Sequence, residues 1–343
     1  MEFPPWPFYE DDEIRAVQEV LRSGKVNKWT GNITEDFEKD FSKLFNIKYS
    51  IAIANGTLAL DVAYRSLGIG VGDEVITTPR TFIATASSLT MLGAKPVFAD
   101  VDLDTGNLSI RSIEKKITSK TKAISIVHIS GWPADMVNLV KLAKSYDLKI
   151  IEDCSQAHGA AIKINDQFKS VGSFSDVSTW SFCQDKIIST GGEGGMVSTN
   201  SRKIWEYIWS FKDHGKNYNT LFKNKNLPGY KWLHENNGSN YRLTEMQSAI
   251  GRIQLMKLDH WINIRCRNAS ILTKILGQLN SIRIPIPPSN IKHSWYKFHC
   301  YLNKNSLKSD WNREKIIYEI NKKGYPAFLG SCSEIYLEKR FTQ

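Results

Sequence analysis

The chain has 343 residues, 41% of them apolar and 11% aromatic, which is enough for a buried core and excludes a disordered chain. Its net charge of +10 is spread among acids, with only doublets such as Lys115-Lys116, Lys322-Lys323 and Lys339-Arg340. That pattern argues against a nucleic-acid binder and for a general bias toward anionic small molecules.

The length exceeds the usual single domain, so one large and one smaller domain are expected. Five cysteines, Cys154, Cys183, Cys266, Cys300 and Cys332, are widely spaced without a C-x-x-C pair, as in a reducing compartment. The seven histidines show no ligand spacing, so no metal is expected. No apolar run approaches a membrane span and the N-terminus lacks a leader pattern, which points to the cytoplasm and to no membrane partner.

In chain order, Ile14, Val17, Val20 and Leu21 share one face of a helix over 12–23, and a second helix spans 34–45 with acids in its first turns. From residue 50 short apolar strands alternate with helices. The pattern predicts strands at 50–54, 74–77, 96–100, 123–128, 149–153, 176–183 and 196–199, with helices at 58–67, 85–92, 136–146 and 202–212. This is an α/β architecture with a mostly parallel sheet sandwiched by helices. Residues 213–239 read as a long irregular loop, of the kind that is usually functional. A capping box at Thr244-Glu-Met-Gln247 opens a long helix to about Leu279, the bridge from a large domain (1–245) into a small α+β domain (246–343). There, 294–302 reads as a strand, and Ser309 as the cap of a helix ending at Lys323.

In parallel sheets ligands sit at the carboxyl ends of the strands. That edge collects Asn55-Gly56-Thr57, Thr81-Phe82, Asp153 and the loop bearing Lys186, which lies just before Gly191, Gly192, Gly194 and Gly195. A lysine that holds an aldehyde cofactor such as pyridoxal phosphate needs a reachable amine, an acid against the ring nitrogen, a flat face and a phosphate cradle. Lys186, Asp153, Phe82, and Gly56, Thr57 and Ser181 offer these in turn. Each has a plainer role available. Lys186 could be a solvated lysine on a glycine hairpin, Asp153 a helix cap, Phe82 a core residue, and Asn55-Gly-Thr a common turn. Coincidence of all of them on one edge is what favours the cofactor site.

The motifs Asn55-Gly-Thr-x-Ala-Leu60, Gly70-x-Gly-Asp-Glu-Val75, Thr81-Phe-x-Ala-Thr85, Glu152-Asp-Cys-Ser-Gln-Ala-His-Gly159, Ser181-Phe-x-x-x-Lys186, Gly192-Glu-Gly-Gly195 and Asn240-x-Arg-Leu-Thr-Glu245 resemble, in order and spacing, those of the DegT/DnrJ-type nucleotide-sugar aminotransferases. These are fold-type I, aspartate-aminotransferase-like pyridoxal-phosphate enzymes. The resemblance implies that Lys186 joins the cofactor and shuttles the proton, and that Asp153 pairs with the ring nitrogen. It implies that Gln156 contacts the ring's 3-oxygen and Phe82 stacks on the ring, while Gly56, Thr57 and Ser181 hold the phosphate. Asn240 would reach the neighbouring subunit's cofactor, making a homodimer with shared active sites, and His158 and Arg242 would face substrate. It further implies transfer of an amino group, with glutamate as donor, to a keto group on a nucleotide-diphosphate sugar, for polysaccharide or glycan synthesis. A branch of the family that dehydrates sugars carries histidine at the lysine position, and Lys186 disfavours that chemistry. Relatives continue for a few dozen residues beyond 331–336, so the small domain is expected to be incomplete here, with turnover at risk. A non-catalytic regulator that keeps the fold is the rival of another class, and retention of Lys186, Asp153 and Gln156 together speaks against it. Gln184 and Asp185 beside the lysine have no sequence-level explanation.

Overall fold

The computed structural model describes residues 3, 5–223, 232–330 and 334–342. Helix α1 (Asp11–Ser23) opens with a capping box between Glu10 and Glu13 and ends at Gly24, whose φ of +68° suits only glycine well. Helix α2 (Ile33–Phe45) buries Phe37, Phe41 and Phe45, one stripe at a spacing of four. The alternating region then follows with β1 (Tyr49–Ile53), α3 (Gly56–Ser66), β2 (Glu74–Thr77), α4 (Ala84–Met91) and β3 (Lys95–Phe98). It continues through α5 (Ile110–Glu114), β4 (Thr121–Val127), α6 (Met136–Ser145) and β5 (Lys149–Asp153). A hairpin, β6 (Ala161–Ile164) and β7 (Gln167–Ser170), precedes β8 (Val177–Ser181) and β9 (Gly195–Thr199). Helices α7 (Arg202–Phe211), α8 (Tyr218–Lys223) and α9 (Glu245–Leu276) lead to the short strands β10 (Ile282–Arg283), β11 (Ile291–Lys292) and β12 (Tyr301–Leu302), and then to α10 (Arg313–Lys322) and α11 (Lys339–Thr342).

The seven-stranded sheet has the order β1-β9-β8-β5-β4-β2-β3. Its pairings are parallel from β8 through β5, β4 and β2 to β3, while β9 runs antiparallel to both β1 and β8. Because β9 inverts twice, β1 and β8 point the same way as the rest, and their carboxyl ends share one edge. Side chains alternate between the two faces. Ile51, Ile53, Val75, Ala123, Ile151, Val177 and Val197 lie under α3, α4 and α7. Ala52, Trp180 and Met196 meet α2 and α9, and Ile76, Ile124 and Ile150 meet α6. The mostly parallel α/β sandwich expected from the sequence is what forms.

Three local expectations are corrected. Residues 294–302 are not one strand: Trp295 sits at a positive φ of 51°, and only Tyr301–Leu302 pair. The last long helix begins later than expected, at Arg313, where Asn312 Oδ1 accepts from the Lys315 backbone N–H at 2.8 Å. The stretch expected to be irregular holds α8, although 224–231 lie outside the described residues. The β6–β7 hairpin was not anticipated; its turn residues Asn165 and Asp166 both take positive φ, as a tight hairpin turn requires.

Candidate active site

Two glycines let the chain close up at the sheet edge. A Cβ on Gly56 would lie 2.7 Å from the Ser181 Cβ, and one on Gly195 would lie 2.7 Å from the Asn55 carbonyl carbon. The N-terminus of α3 is therefore laid directly against the end of β8. Asn55 caps that helix, its Oδ1 accepting from the Leu58 N–H at 2.9 Å. The first amides of the helix stay without intrahelical partners, with exposed Thr57 beside them, a ready anion cradle. Ser181 Oγ accepts from the Cys183 N–H at 3.3 Å, which leaves its own proton free to donate.

Asp153 ends β5 and is nearly buried. Its Oδ2 accepts from Thr85 Oγ1 at 2.9 Å and its Oδ1 from the Ser155 N–H at 3.1 Å. Thr85 in turn lies 3.0 Å from Thr81 Oγ1, so the turn that carries Phe82 is tied to the carboxylate. Phe82 itself is 65% exposed. That is a poor position for a core residue and a good one for a flat platform.

Lys186 lies in the loop joining β8 to β9, and its side chain is only 16% exposed. The loop folds back on itself through Phe182 N–H to Gly194 O at 2.8 Å and Gln184 N–H to Gly192 O at 3.0 Å. The Nζ donates to Asp185, 3.1 Å from its Oδ1, and to the Tyr296 hydroxyl at 3.3 Å. Tyr296 OH also donates to Asp185 Oδ2. Burial raises the Asp185 carboxyl, but the bonds from Tyr296 and Lys186 outweigh it and hold the group below the usual carboxylate range. Burial and the Asp185 contact push the Tyr296 phenol up, so it stays a donor. Trp6 Nε1 donates to the Lys186 carbonyl at 2.9 Å and fixes the backbone of the loop.

Gln156 is nearly buried, and its Oε1 accepts from the Ser130 N–H at 2.8 Å. A backbone N–H can only donate, so the amide oxygen faces Ser130 and the NH2 is the free end. The residues 240–242 run beside the end of β1, with a bridge between Arg242 and Ile53 and a bond from Ala54 N–H to Tyr241 O at 2.9 Å. Asn240 is exposed there. Arg242 Nη1 donates to buried Asp213 at 2.7 Å, while its Nε has no partner among the described residues. The His158 ring is fully buried between Trp180 and Phe182, with centroids 5.5 and 5.7 Å away. Neither ring nitrogen has a partner among the described residues. Burial, with Lys186 and Arg265 nearby, pushes its pKa down to about 3, so the ring is neutral.

His128, Glu152 and Cys154 come close enough together to suggest a metal ligand set. Their bonding argues otherwise. His128 Nδ1 accepts from the Ala134 N–H at 3.0 Å, so its Nε2 proton serves Glu152 at 3.1 Å. Glu152 also takes the N–H groups of Gly172, Phe174 and Ser175. The cluster is a filled hydrogen-bond knot beneath β5.

The residues with functional geometry that sequence reasoning passed over are Thr85, Asp185, Tyr296 and Ser130. Thr85 falls within a quoted motif, four residues after Thr81, and could have been paired with Asp153. Tyr296 lies 110 residues from Lys186, and no local pattern connects them.

A parallel sheet with one inverted strand, a lysine in the loop before that strand, and an acid at the end of β5 define the aspartate-aminotransferase-like, fold-type I class. The chain belongs to the DegT/DnrJ/EryC1/StrS aminotransferase family, whose model matches residues 7–328. It is 38% identical to a GDP-perosamine synthase of Escherichia coli O157:H7, over 86% of this chain and 74% of that protein. It is 37% identical to a UDP-N-acetyl-3-dehydro-alpha-D-glucosamine 3-aminotransferase of Acidithiobacillus ferrooxidans, over 83% and 73%. The crystal structure of an aminotransferase from Psychrobacter cryohalolentis superposes with a TM-score of 0.95 at 47% identity, covering 99% of this chain and 87% of that one. Among the described residues, no helix is long and apolar enough to cross a membrane.

Proposed function

We propose that the protein moves an amino group onto a keto carbon of a nucleotide-diphosphate sugar, with pyridoxal phosphate held at the carboxyl edge of the sheet. The observation that carries this is the grouping at that edge: a nearly buried lysine amine, an acid at the end of β5, and a helix N-terminus closed against Ser181. When bound, pyridoxal phosphate supplies an aldehyde for the amine and a ring that takes up electrons from the bond being broken. Lys186 provides the amine that anchors the cofactor and, when free, carries the proton to and from the reacting carbon at its Nζ. Asp153, oriented by Thr85, accepts a hydrogen bond from the ring nitrogen and keeps that nitrogen charged. Gln156 donates its free NH2 to the ring oxygen. The amides of Gly56 and Thr57, with the hydroxyls of Thr57 and Ser181, bind the phosphate, and Phe82 covers one face of the ring. Glutamate is the donor in this reading and leaves as its keto acid while the sugar gains the amine.

The relatives named above support a sugar substrate destined for surface polysaccharide or glycan. Exposed Asn240 is proposed to reach the cofactor of a second subunit in a homodimer. A division at 245/246 into large and small domains is part of the same proposal, as is a cytoplasmic setting, which the free cysteines Cys154, Cys183, Cys266 and Cys300 favour.

The test is to add pyridoxal phosphate to the purified chain, reduce with borohydride, and map the modified residue by mass spectrometry. The expected result is one cofactor fixed on Lys186, none in Lys186→Ala, and glutamate-dependent amination of at least one nucleotide keto sugar from a panel. A wild-type chain that fixes no cofactor on Lys186 would overturn the assignment.

A further inference from the structure

One stretch from the C-terminal region, residues 293–301, meets the site at several points. Tyr296 reaches Asp185 and Lys186 as described above. The Ser294 N–H donates to Gly131 O at 3.0 Å and the Lys297 N–H to Ser130 O at 3.3 Å, which clamps the turn after β4. His299 then joins two partners. Its Nδ1 lies 3.0 Å from Arg80 Nη2, and the Ser130 Oγ sits between both ring nitrogens, 2.9 Å from Nδ1 and 3.3 Å from Nε2. A guanidinium can only donate, so Nδ1 is an acceptor and the ring proton sits on Nε2. Arg80 is fixed a second time by its Nη1, which donates to Tyr301 OH at 2.6 Å.

The clamped turn is unusual. Ser130 holds a φ of +59°, a left-handed conformation that serine rarely adopts, and Gly131 follows at +95°. Such a conformation persists only when its surroundings enforce it. Here they do: Ile129 N–H donates to Asn107 Oδ1 at 3.0 Å on one side, and His299 holds the Ser130 hydroxyl on the other. The result of this conformation is that the Ser130 N–H points at Gln156 Oε1, at 2.8 Å.

We propose that His299 is a positioning residue of the cofactor site, which locks Ser130 in its left-handed turn so that the Ser130 N–H fixes the Gln156 amide with its NH2 free for the cofactor's ring oxygen. The same contact ties Arg80, two residues before the platform Phe82, to the opposite side of the site. Correct seating of the C-terminal stretch thereby becomes a condition for recognising the ring oxygen. This inference rests on the pyridoxal-phosphate reading above.

The experiment compares binding of pyridoxal phosphate and of its analogue lacking the ring hydroxyl to the full chain, by absorbance titration. The wild type should prefer pyridoxal phosphate by about tenfold. His299→Ala should weaken pyridoxal phosphate about threefold to tenfold and leave the analogue unchanged, so that the preference collapses. His299→Asn, which keeps an acceptor near the Nδ1 position, should restore most of it. Ser130→Ala keeps the β-carbon that makes the positive φ costly and lacks the hydroxyl, so it should show the same collapse even if His299→Ala does not fold. Equal weakening of both probes, or an unchanged preference in these variants, would overturn the inference. A wild-type chain that binds neither probe and fixes nothing on Lys186 under borohydride would instead bring down the cofactor assignment itself, and this inference with it.

Discussion

The sheet region, residues 49–199, and the chain after α9, residues 280–342, are held together on different terms. In the first, β8 and β9 are buried at every position and β4 at all but one. In the second, each strand is two residues long and neither α10 nor α11 buries a residue. The buried residues there are few, chiefly His293, Ser294, Tyr296 and Ile335. Three of those four lie in the stretch that touches the site. The sheet carries most of the burial, and the C-terminal region is buried most where it meets the candidate site.

The largest expected effect on activity falls on the sheet side. Asp153→Asn keeps the size of the side chain and its bond from Thr85 but removes the charge that holds a ring nitrogen protonated. Turnover of a fixed keto-sugar substrate should drop about a hundredfold to ten-thousandfold with little change in the melting temperature. Turnover within a few-fold of wild type would remove Asp153 from its assigned place. On stability, Phe41→Ala should cost about 3–5 kcal/mol in denaturant unfolding. Phe41 is fully buried and packs edge-on against Trp180 at 5.2 Å, close under the strand that ends at Ser181.

Acid should weaken both regions in the same way. His158, under the sheet, is held down at about 3, and His293, in the C-terminal stretch, at about 3 as well, both chiefly by burial. Each starts from 6.5 in the unfolded chain. A depressed histidine leaves the folded state with fewer protons, so its contribution is complete above about pH 6.5 and is lost as pH falls toward 3. Each costs about 1.4 kcal/mol per pH unit in that window. His158→Phe, which fills the gap between Trp180 and Phe182 with a ring that does not titrate, should flatten the fall in melting temperature between pH 6.5 and 4. An unchanged acid slope would mean that the ring finds a proton acceptor on opening.

Most of the sheet could be read from the sequence, because short apolar strands between helices leave a regular signal. The strands Glu74–Thr77 and Lys149–Asp153 match their expected bounds, and the residues of the carboxyl edge fall where the strand ends put them. The positions of Asp153, Gly56 and Ser181 on that edge were legible because each sits at a strand or helix terminus that local pattern can locate. Tyr296, Ser130 and His299 were not. Their partners lie 110, 26 and 219 residues away, and nothing in their own neighbourhoods announces them. The Ser294–Leu302 strand was misread for a related reason: alternation there comes from residues docking on the turn at 129–131, and Trp295 at positive φ interrupts any extended run.

The smallest expected effect tests the contrast most directly. Ile320 belongs to α10, whose sequence looks like a packed helix, yet its side chain is 38% exposed. An apolar residue with more than a third of its surface in water contributes less through burial than a core one, so Ile320→Ala should change unfolding stability by about 1 kcal/mol or less. Alanine is also the better helix former, which offsets part of any lost contact. Set beside Phe41→Ala, the two truncations should differ by several kcal/mol although both remove a large apolar side chain. A cost near 2 kcal/mol at Ile320 would show that α10 is covered in solution, by a second subunit or by another part of the chain. The C-terminal region would then owe its order to that cover rather than to the few side chains that meet the site.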